Sequence, residues 1–526
     1  MSRRARRTSR GARTATGGWR WLTLAVLSVS LLLISIDNTI LNVALPSIVR
    51  DLHASSSELQ WIVDAYAVVF AGLLLTLGSL GDRVGRKWVF MAGLAVFVAG
   101  SAASAFSGSP DRLVASRAFM GIGAAAIMPS TLSILTNVFI SERDRARAIG
   151  IWSGTSGLGV AVGPVAGGWL LDHYWWGSVF LVNVPIGLLG LLASTWIVPN
   201  SRTPASRRPD LVGVALSTLG LGSLLWGVIE APNRTWSSPL VIAALLGAGV
   251  ALAGFVAWER HTDHPMLPLA FFRSRRFSAA IGSLALLLFA LFGALFVLTQ
   301  YLQFDLGYTP LQTGLRVAPI AAVLLVVAPL STLAARWLGT KPVVCGGMLL
   351  VASGLALLAR TSVADTYRDV MPAFFLLGVG VGLAMAPSTD SVMGAVPRHD
   401  AGVGSATNGT ALQVGGALGV GVLGTALNGR YQGRLAPLLA HHAVPLGIQK
   451  LVLGSLGGAM EVAQHVGGQV GAALSGAARS AFLSGMDLGM VVAAAVVGVA
   501  SVVVAITLPN RPSRTSPIDQ GPSGGT

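Results

Sequence analysis

The feature that most constrains this chain is a series of fourteen apolar stretches, most of them about 20 residues long or longer. A helix of about 20 apolar residues crosses the roughly 30 Å hydrocarbon layer of a membrane. The composition agrees, since 53% of the 526 residues are hydrophobic and 11% are charged, against about a quarter charged in soluble domains. The sequence therefore predicts an all-α integral membrane protein with fourteen transmembrane helices. The predicted spans are 22–49, 60–79, 88–107, 112–139, 148–172, 178–198, 211–230, 239–258, 278–301, 312–335, 343–360, 370–394, 402–427 and 485–508.

The basic residues predict which side of the membrane each loop faces, because cytoplasmic loops carry an excess of Lys and Arg. With fourteen spans, 25 of the 36 Lys and Arg residues fall on the side of the two termini and nine on the other. Both termini are therefore predicted to be cytoplasmic. The net charge of +15 does not indicate a nucleic-acid partner, because the bases lie in short groups between apolar spans and form no basic domain.

The loops divide the chain into predicted segments. Residues 333–341 are a degenerate copy of the loop between spans 2 and 3, which indicates two related halves. The predicted order is a basic cytoplasmic tail (1–20), a six-helix half (21–198), a linker with two inserted helices (199–259), a second six-helix half (260–508) and a disordered cytoplasmic tail (509–526). In the second half, a long outer loop at about 428–484 is predicted to form short helices on the membrane surface.

The chain carries no signature of nucleotide or metal chemistry. None of its three lysines follows a glycine, as a Walker A loop requires, and its histidines lack the spacing of metal ligands. We therefore predict no cofactor, no metal site and no enzymatic activity. Energy for uphill work would come from an ion gradient or from a partner chain.

Four ionisable residues inside predicted spans are the strongest functional candidates, because each costs about 2.5–3.5 kcal/mol on insertion scales. They are Asp37, Asp64, Arg117 and Asp390. Asp37 and Arg117 reach similar depths in the outer half of the membrane, so we expect them to pair, either for proton coupling or for structure alone. Asp64 is the second proton candidate, and its alternative is an acid that reaches water at the interface. The alternative for Asp390 is a hydrated helix end.

A short loop between spans 2 and 3 combines glycines with charges of both signs. An acid among bases in a tight turn can hold neighbouring helices in one conformation, so we predict a cytoplasmic gating loop. An ordinary basic loop is the alternative. The residues concerned are Gly78, Asp82, Arg83, Gly85, Arg86 and Lys87.

Span 5 carries glycines at helical spacing around a proline. Gly-x-x-x-Gly spacing allows close helix approach, and proline removes a backbone donor and bends the helix. The segment is predicted to be a specialised packing helix. Its residues are Gly159, Gly163, Pro164, Gly167 and Gly168.

Aromatic and polar residues on spans 2, 9 and 12 are candidates for a substrate cavity. Those on span 9 share one helical face with Phe289, although such a stripe also suits simple packing. The candidates are Trp61, Tyr66, Phe292, Phe296, Gln300 and Asp390.

Together these motifs resemble the major facilitator superfamily. The loop 78–87 is similar to its signature loop, residues 117–123 to its span 4 motif and residues 159–168 to the motif of its antiporters. Residues 37–46 and 183–187 resemble motifs of the fourteen-span drug:proton antiporter family. The resemblance implies two six-helix halves plus two inserted central helices in the bacterial cell (inner) membrane. It also implies export of a lipophilic drug or antibiotic in exchange for protons, as in multidrug efflux and antibiotic resistance.

Two departures from the family pattern bear on the substrate. Residues 176–178 read Trp-Gly-Ser where many relatives have Trp-Arg-Trp. No acid lies between Asp400 and Glu461, and Gln413 is the polar residue of span 13, so export of dicationic drugs is not expected. Two alternatives stay open: a proton-coupled nutrient symporter, which the span 5 motif disfavours, and a non-transporting membrane sensor.

Overall fold

The structure, a computed structural model, describes residues 17–202, 210–263, 265–397, 401–440 and 444–510. Fourteen helices in this part of the chain are long and apolar enough to cross a membrane, which confirms the predicted number of spans. Most of the predicted N-terminal tail and residues 511–526 of the C-terminal tail lie outside the described residues.

Helices account for almost all of the described chain, because a backbone in lipid must satisfy its own hydrogen bonds. A 3₁₀ helix (Leu269–Arg273) precedes the tenth helix, and a π-helical turn (Tyr301–Asp305) follows it. The α-helices are α1 (Gly17–Leu52), α2 (Ser56–Val84), α3 (Arg86–Ala105), α4 (Pro110–Val138), α5 (Glu142–His173), α6 (Ser178–Leu181), α7 (Asn183–Ile197), α8 (Leu211–Arg234), α9 (Pro239–His261), α10 (Arg275–Gln300), α11 (Pro310–Leu338), α12 (Thr340–Leu358), α13 (Tyr367–Gly394), α14 (Ala401–Ala440), α15 (Leu446–Gly454), α16 (Leu456–Val466) and α17 (Gly468–Thr507).

The spans group into two halves with a helix pair between them in sequence. Helices α1 to α7 supply six spans, since α6 and α7 cross together, and α10 to α14 with α17 supply six more. The halves pack against each other mainly through α2 on α14 and α5 on α11. Helix α8 lies against both α2 and α14, and α9 packs on α8. The predicted fold of two six-helix halves plus two inserted helices is confirmed.

The region between spans 13 and 14 contains longer spanning helices than the predicted surface loop allowed. Helix α14 continues to Ala440 and α17 begins at Gly468, so the ends of the predicted loop extend the spanning helices. The short helices α15 and α16 lie between them, and the Tyr431 hydroxyl donates to the Val452 and Ser455 carbonyls. A hydropathy window finds the apolar part of a helix and misses an amphipathic extension of the same helix, which explains the difference.

Candidate functional site

A buried ion pair lies in the first half, where α1 meets α4. Arg117 Nη1 donates to Asp37 Oδ2 at 2.6 Å, and the two side chains are 1% and 0% exposed. Arg117 Nε also donates to the Ile62 carbonyl of α2 at 3.2 Å. The two residues expected to share a depth are therefore in contact.

Asn183, at the start of α7, holds the other carboxylate oxygen. Its Nδ2 donates to Asp37 Oδ1 at 3.3 Å and to Ser101 Oγ of α3 at 3.0 Å. Asp37 thus accepts on both oxygens, as a buried carboxylate requires. The hydrogen-bonded side chains of the cluster come from α1, α3, α4 and α7, and α2 contributes the Ile62 carbonyl.

Two aromatic rings flank the guanidinium. The Tyr66 ring centroid lies 4.4 Å from Arg117 Cζ, and the Phe180 centroid lies 5.8 Å away. Both distances fall within the range of cation–π attraction. Arg117 therefore keeps part of its stabilisation when the charge on Asp37 changes.

The ion pair borders a cavity between the two halves. The cavity has a volume of about 20 Å³, and Arg117 forms part of its wall. A second cavity of about 30 Å³ lies alongside, between α1, α5, α10 and α11. Both are water-sized in this conformation, so a drug-sized ligand requires the halves to separate. The polar and aromatic residues lining the first cavity are Asn38, Asn42, Tyr66, Arg117, Phe292 and Gln413.

The predicted cavity residues fall into two groups. Tyr66 and Phe292 line the first cavity. Phe296 is fully buried away from both described cavities, and Gln300 Nε2 donates to the Phe296 carbonyl at 3.0 Å. Trp61 packs on the apolar cluster around Leu225 of α8. Phe296 and Gln300 therefore pack within the protein core, whereas Phe292 of the same predicted face lines the cavity.

Asp390, the remaining residue predicted to line the cavity, lies near the C-terminal end of its helix. It is exposed near the end of α13, and Arg336 and Arg276 are close enough to act on its charge. This is the position of a hydrated helix end, away from the ion pair of Asp37.

Asp64 lies in a different setting from the one expected for an interfacial acid. It is fully buried, so the alternative that it reaches water is wrong for this conformation. A Cβ added to Gly421 of α14 would lie 3.5 Å from Asp64 Oδ2 and 2.8 Å from Leu225 Cδ2. Neither carboxylate oxygen has a hydrogen-bond partner among the described residues. Asp64 is thus an unpartnered acid at the seam of α2, α8 and α14.

The predicted gating loop joins α2 to α3 by a single residue. That residue, Gly85, has φ +129°, a conformation that favours glycine. Asp82 Oδ1 accepts from Arg86 Nε at 2.6 Å, and the Arg86 backbone N–H donates to the Ser201 carbonyl at 3.0 Å. Lys87 Nζ donates to the carbonyl of Thr195 at 2.7 Å.

The other two residues of this loop differ in their surroundings. Arg83 is exposed, and a Cβ on Gly78 would lie 3.2 Å from Pro129 of α4. The loop therefore combines an acid–base contact with anchors to α4 and to the end of α7. All of these anchors lie in the first half or just after it.

The glycines of α5 allow contact on two sides of the helix. A Cβ on Gly159 would lie 2.6 Å from Ser35 Cβ, and those on Gly163 and Gly167 would overlap α1 at Thr39 and Ile40. On the other side, a Cβ on Gly168 would lie 2.6 Å from Leu311 Cα of α11. Helix α5 is thus packed tightly on α1 within its own half and on α11 across the boundary.

Sequence reasoning missed several residues of the central region. Gly314 of α11 approaches the Pro164 carbonyl so closely that a Cβ there would overlap it. Asn42 and Thr39 line a cavity. Gln413, which the sequence identifies as the polar residue of span 13, was not predicted to line the cavity that it borders. A polar or small residue inside an apolar span was the available signal, but the sequence alone does not show which helix face looks inward.

Comparison with known proteins agrees with this architecture. The family model of the Major Facilitator Superfamily matches residues 27–420. The Tetracenomycin C resistance and export protein of Streptomyces glaucescens is 35% identical, covering 96% of this chain and 95% of the relative. The Multidrug efflux pump LfrA of Mycolicibacterium smegmatis is 36% identical, covering 94% and 97%.

A solved structure shares the fold at low sequence identity. It is a bacterial homolog of the human lysosomal transporter Spinster in an inward-facing and unoccupied conformation, 17% identical, with a TM-score of 0.65. The match covers 95% of this chain and 100% of the solved structure's chain. By its helix arrangement, its family match and its relatives, the chain belongs to the Major Facilitator Superfamily.

Proposed function

We propose that this chain is a proton-coupled antiporter that exports lipophilic drugs or antibiotics across the bacterial cell membrane, with both termini cytoplasmic. The observation that carries the proposal is the buried Asp37–Arg117 pair at the wall of a cavity between the two halves. An ionisable pair inside a membrane marks a functional site by default. The printed names of the relatives, which describe resistance and export, support the substrate class.

Asp37 is the proposed proton carrier. In the observed state it is held by Arg117 and by Asn183, so the pair is neutral overall. A proton from outside neutralises Asp37 and releases the Arg117 guanidinium, which stays charged because guanidinium is not deprotonated in proteins. The Ile62 carbonyl and the Tyr66 ring remain to hold the released cation.

The competition between proton and drug is proposed to occur at the cavity wall. Arg117, Tyr66 and Asn38 line the same cavity, so a change in the Asp37–Arg117 contact alters the surface that a drug meets. Aromatic rings and amide groups in this wall suit a lipophilic ligand with a few hydrogen-bonding groups. Asp64 is the second proposed proton site.

Alternating access requires contacts between the halves to break. On the side assigned as outer, Asp172 Oδ2 accepts from Thr309 Oγ1 at 3.1 Å, which ties α5 to the start of α11. Gln303 Nε2 of the π-helical turn donates to the Val43 carbonyl of α1 at 2.9 Å. Outward opening must break both contacts.

Reconstitution in liposomes tests the proposal. An imposed pH gradient should drive a fluorescent lipophilic drug against its concentration gradient in the wild type. Asp37→Asn should abolish that uphill transport. Asp51→Asn is the matched control, because Asp51 is an exposed acid on the same helix.

The two alternatives give different results in the same vesicles. Proton-driven uptake of a labelled sugar or amino acid, with no drug transport, would indicate a nutrient symporter. Absence of flux for every class of compound would indicate a sensor. Susceptibility profiling of a host strain lacking its own pumps, with and without this chain, supplies the drugs to test.

A further inference from the structure

Two acidic side chains meet at the base of the inserted helix pair, away from the central cavity. Asp210 precedes α8 and Glu259 lies near the end of α9, and they are 9% and 4% exposed. A Cβ added to Gly213 would lie 2.6 Å from Asp210 Oδ2 and 3.0 Å from Glu259 Oε1. The two carboxyl groups are within hydrogen-bonding reach of each other.

Three of the four carboxylate oxygens already accept hydrogen bonds. Asp210 Oδ1 accepts from the Gly213 backbone N–H at 2.8 Å. The Trp258 indole N–H is shared between Asp210 Oδ1 at 2.9 Å and Oδ2 at 3.0 Å. Glu259 Oε2 accepts from the Leu267 backbone N–H at 3.0 Å. Glu259 Oε1 is buried with no donor among the described residues, and it faces the same point as Asp210 Oδ2.

The part of the chain that the structure describes holds no cation that acts on the charge of Glu259. Among the described charged groups, Asp210 is the one that acts on Glu259. The neighbouring Arg260 and His261 of α9 are exposed, and His261 Nδ1 is in contact with the Ala257 carbonyl at 2.8 Å. Asp263, which follows α9, is also exposed. Two buried carboxylates side by side cannot both ionise without a large electrostatic penalty.

A proton supplies the missing donor. Asp210 already receives two donors, whereas Glu259 Oε1 receives none, so the proton belongs on Glu259. We propose that the Asp210–Glu259 pair is a second proton-binding site, with the proton carried on Glu259 Oε1 and donated to Asp210 Oδ2. The proton comes from water on the cytoplasmic side and returns to it, so no other reactant is needed.

The site has a structural consequence for the connection between the inserted helices and the second half. Glu259 holds the Leu267 amide in the segment that leads to α10. The next residue back, Met266, has its sulfur 4.0 Å from Thr76 Oγ1 of α2. Loss of the proton at alkaline pH makes the Glu259 carboxylate a stronger acceptor for the Leu267 N–H, so the site makes the attachment of this segment sensitive to cytoplasmic pH.

Infrared spectroscopy of the full chain in lipid nanodiscs tests proton binding directly. The wild type should show the carbonyl band of a protonated carboxylic acid, which disappears as the pH is raised. Glu259→Gln should lack that part of the band, and its amide N–H still donates to Asp210. Glu230→Gln is the matched control, because Glu230 lies at the opposite end of α8 and pairs with Arg234. An unchanged band in Glu259→Gln, or an equal loss in Glu230→Gln, would overturn the proposal.

Hydrogen–deuterium exchange at Leu267 supplies the second readout. After correction for the intrinsic pH dependence, exchange at Leu267 should slow at alkaline pH in the wild type and stay constant in Glu259→Gln. If Glu259→Gln does not fold, Asp210→Asn serves instead, since its amide donates to Glu259 and should likewise remove the pH-dependent slowing. The same slowing in every folded variant would contradict the proposal. Neither readout involves a drug, so the outcome is independent of the proposed export.

Discussion

Gly163 offers a sharp test of the packing between α1 and α5. A Cβ added there would overlap Thr39 Oγ1 and lie 3.2 Å from the Ile36 carbonyl oxygen. Gly154 lies on the same helix, and a Cβ added there meets no described atom within 4 Å. Gly163→Ala and Gly154→Ala therefore add the same methyl group to one helix. The added group meets a neighbouring helix at Gly163 and open space at Gly154.

The two variants should change stability in opposite directions. Alanine gains about 0.5–1 kcal/mol over glycine inside a helix, so Gly154→Ala should stabilise by about that amount. Overpacking costs about 1–3 kcal/mol. The gain of alanine over glycine inside the helix offsets part of this cost, so Gly163→Ala should be destabilised by up to about 2 kcal/mol. Thr39 cannot turn away without loss, because its Oγ1 donates to the Ser35 carbonyl at 3.1 Å.

Thermal unfolding of the purified variants in one detergent measures this difference, and drug export from proteoliposomes measures its effect on transport. Export should fall in Gly163→Ala and be retained in Gly154→Ala. Adding Thr39→Ala to Gly163→Ala removes the overlapping hydroxyl and should recover part of the loss, as expected for residues in contact. Equal unfolding temperatures and equal export in the two single variants would refute the tight contact.

Three further substitutions test other parts of the account. Asp82→Asn should fold and insert but slow export, because the charged acceptor for Arg86 is lost; unchanged rates at equal membrane abundance, measured by immunoblot, would count against a gating role. Gly85→Ala should lower the unfolding temperature, because the positive φ costs about 1–3 kcal/mol and the Cβ would lie 2.8 Å from Asn200 Oδ1; a wild-type unfolding temperature would contradict this. Phe292→Ala should change which drugs are exported and leave pH-gradient-driven export of others intact, and an unaltered susceptibility profile would exclude Phe292 from the substrate site.

The number of spans was predictable because each helix must be apolar over the thickness of the membrane. The ends of the helices were less so. Helix α1 begins at Gly17, five residues before the predicted span, and α14 runs to Ala440, beyond the predicted end at 427. A hydropathy window detects apolar residues, so it does not detect polar residues that extend a helix past the hydrocarbon layer.

The central site was only partly predictable. Counting residues along a span gives the depth of a side chain in the membrane, but it does not show whether the side chain faces the protein interior or a cavity. The rise per residue brought Asp37 and Arg117 to one level, and the structure places them in contact. The same reasoning grouped Phe292 with Phe296, yet only Phe292 lines a described cavity. Asp64 was misjudged in exposure, because its carboxylate lies close to Gly421 of α14 in the second half, and no local pattern reveals which distant helix covers a residue.

Drug-induced proton release in reconstituted vesicles tests the central claim most directly. In the wild type, adding a transported drug in weakly buffered medium should release protons from the protein, because drug and proton compete through the Asp37–Arg117 pair. Asp37→Asn should bind the drug and release no proton, whereas the exposed control Asp51→Asn should behave as the wild type. Wild-type proton release together with wild-type pH-gradient-driven export in Asp37→Asn would contradict the account and transfer the proton site to Asp64.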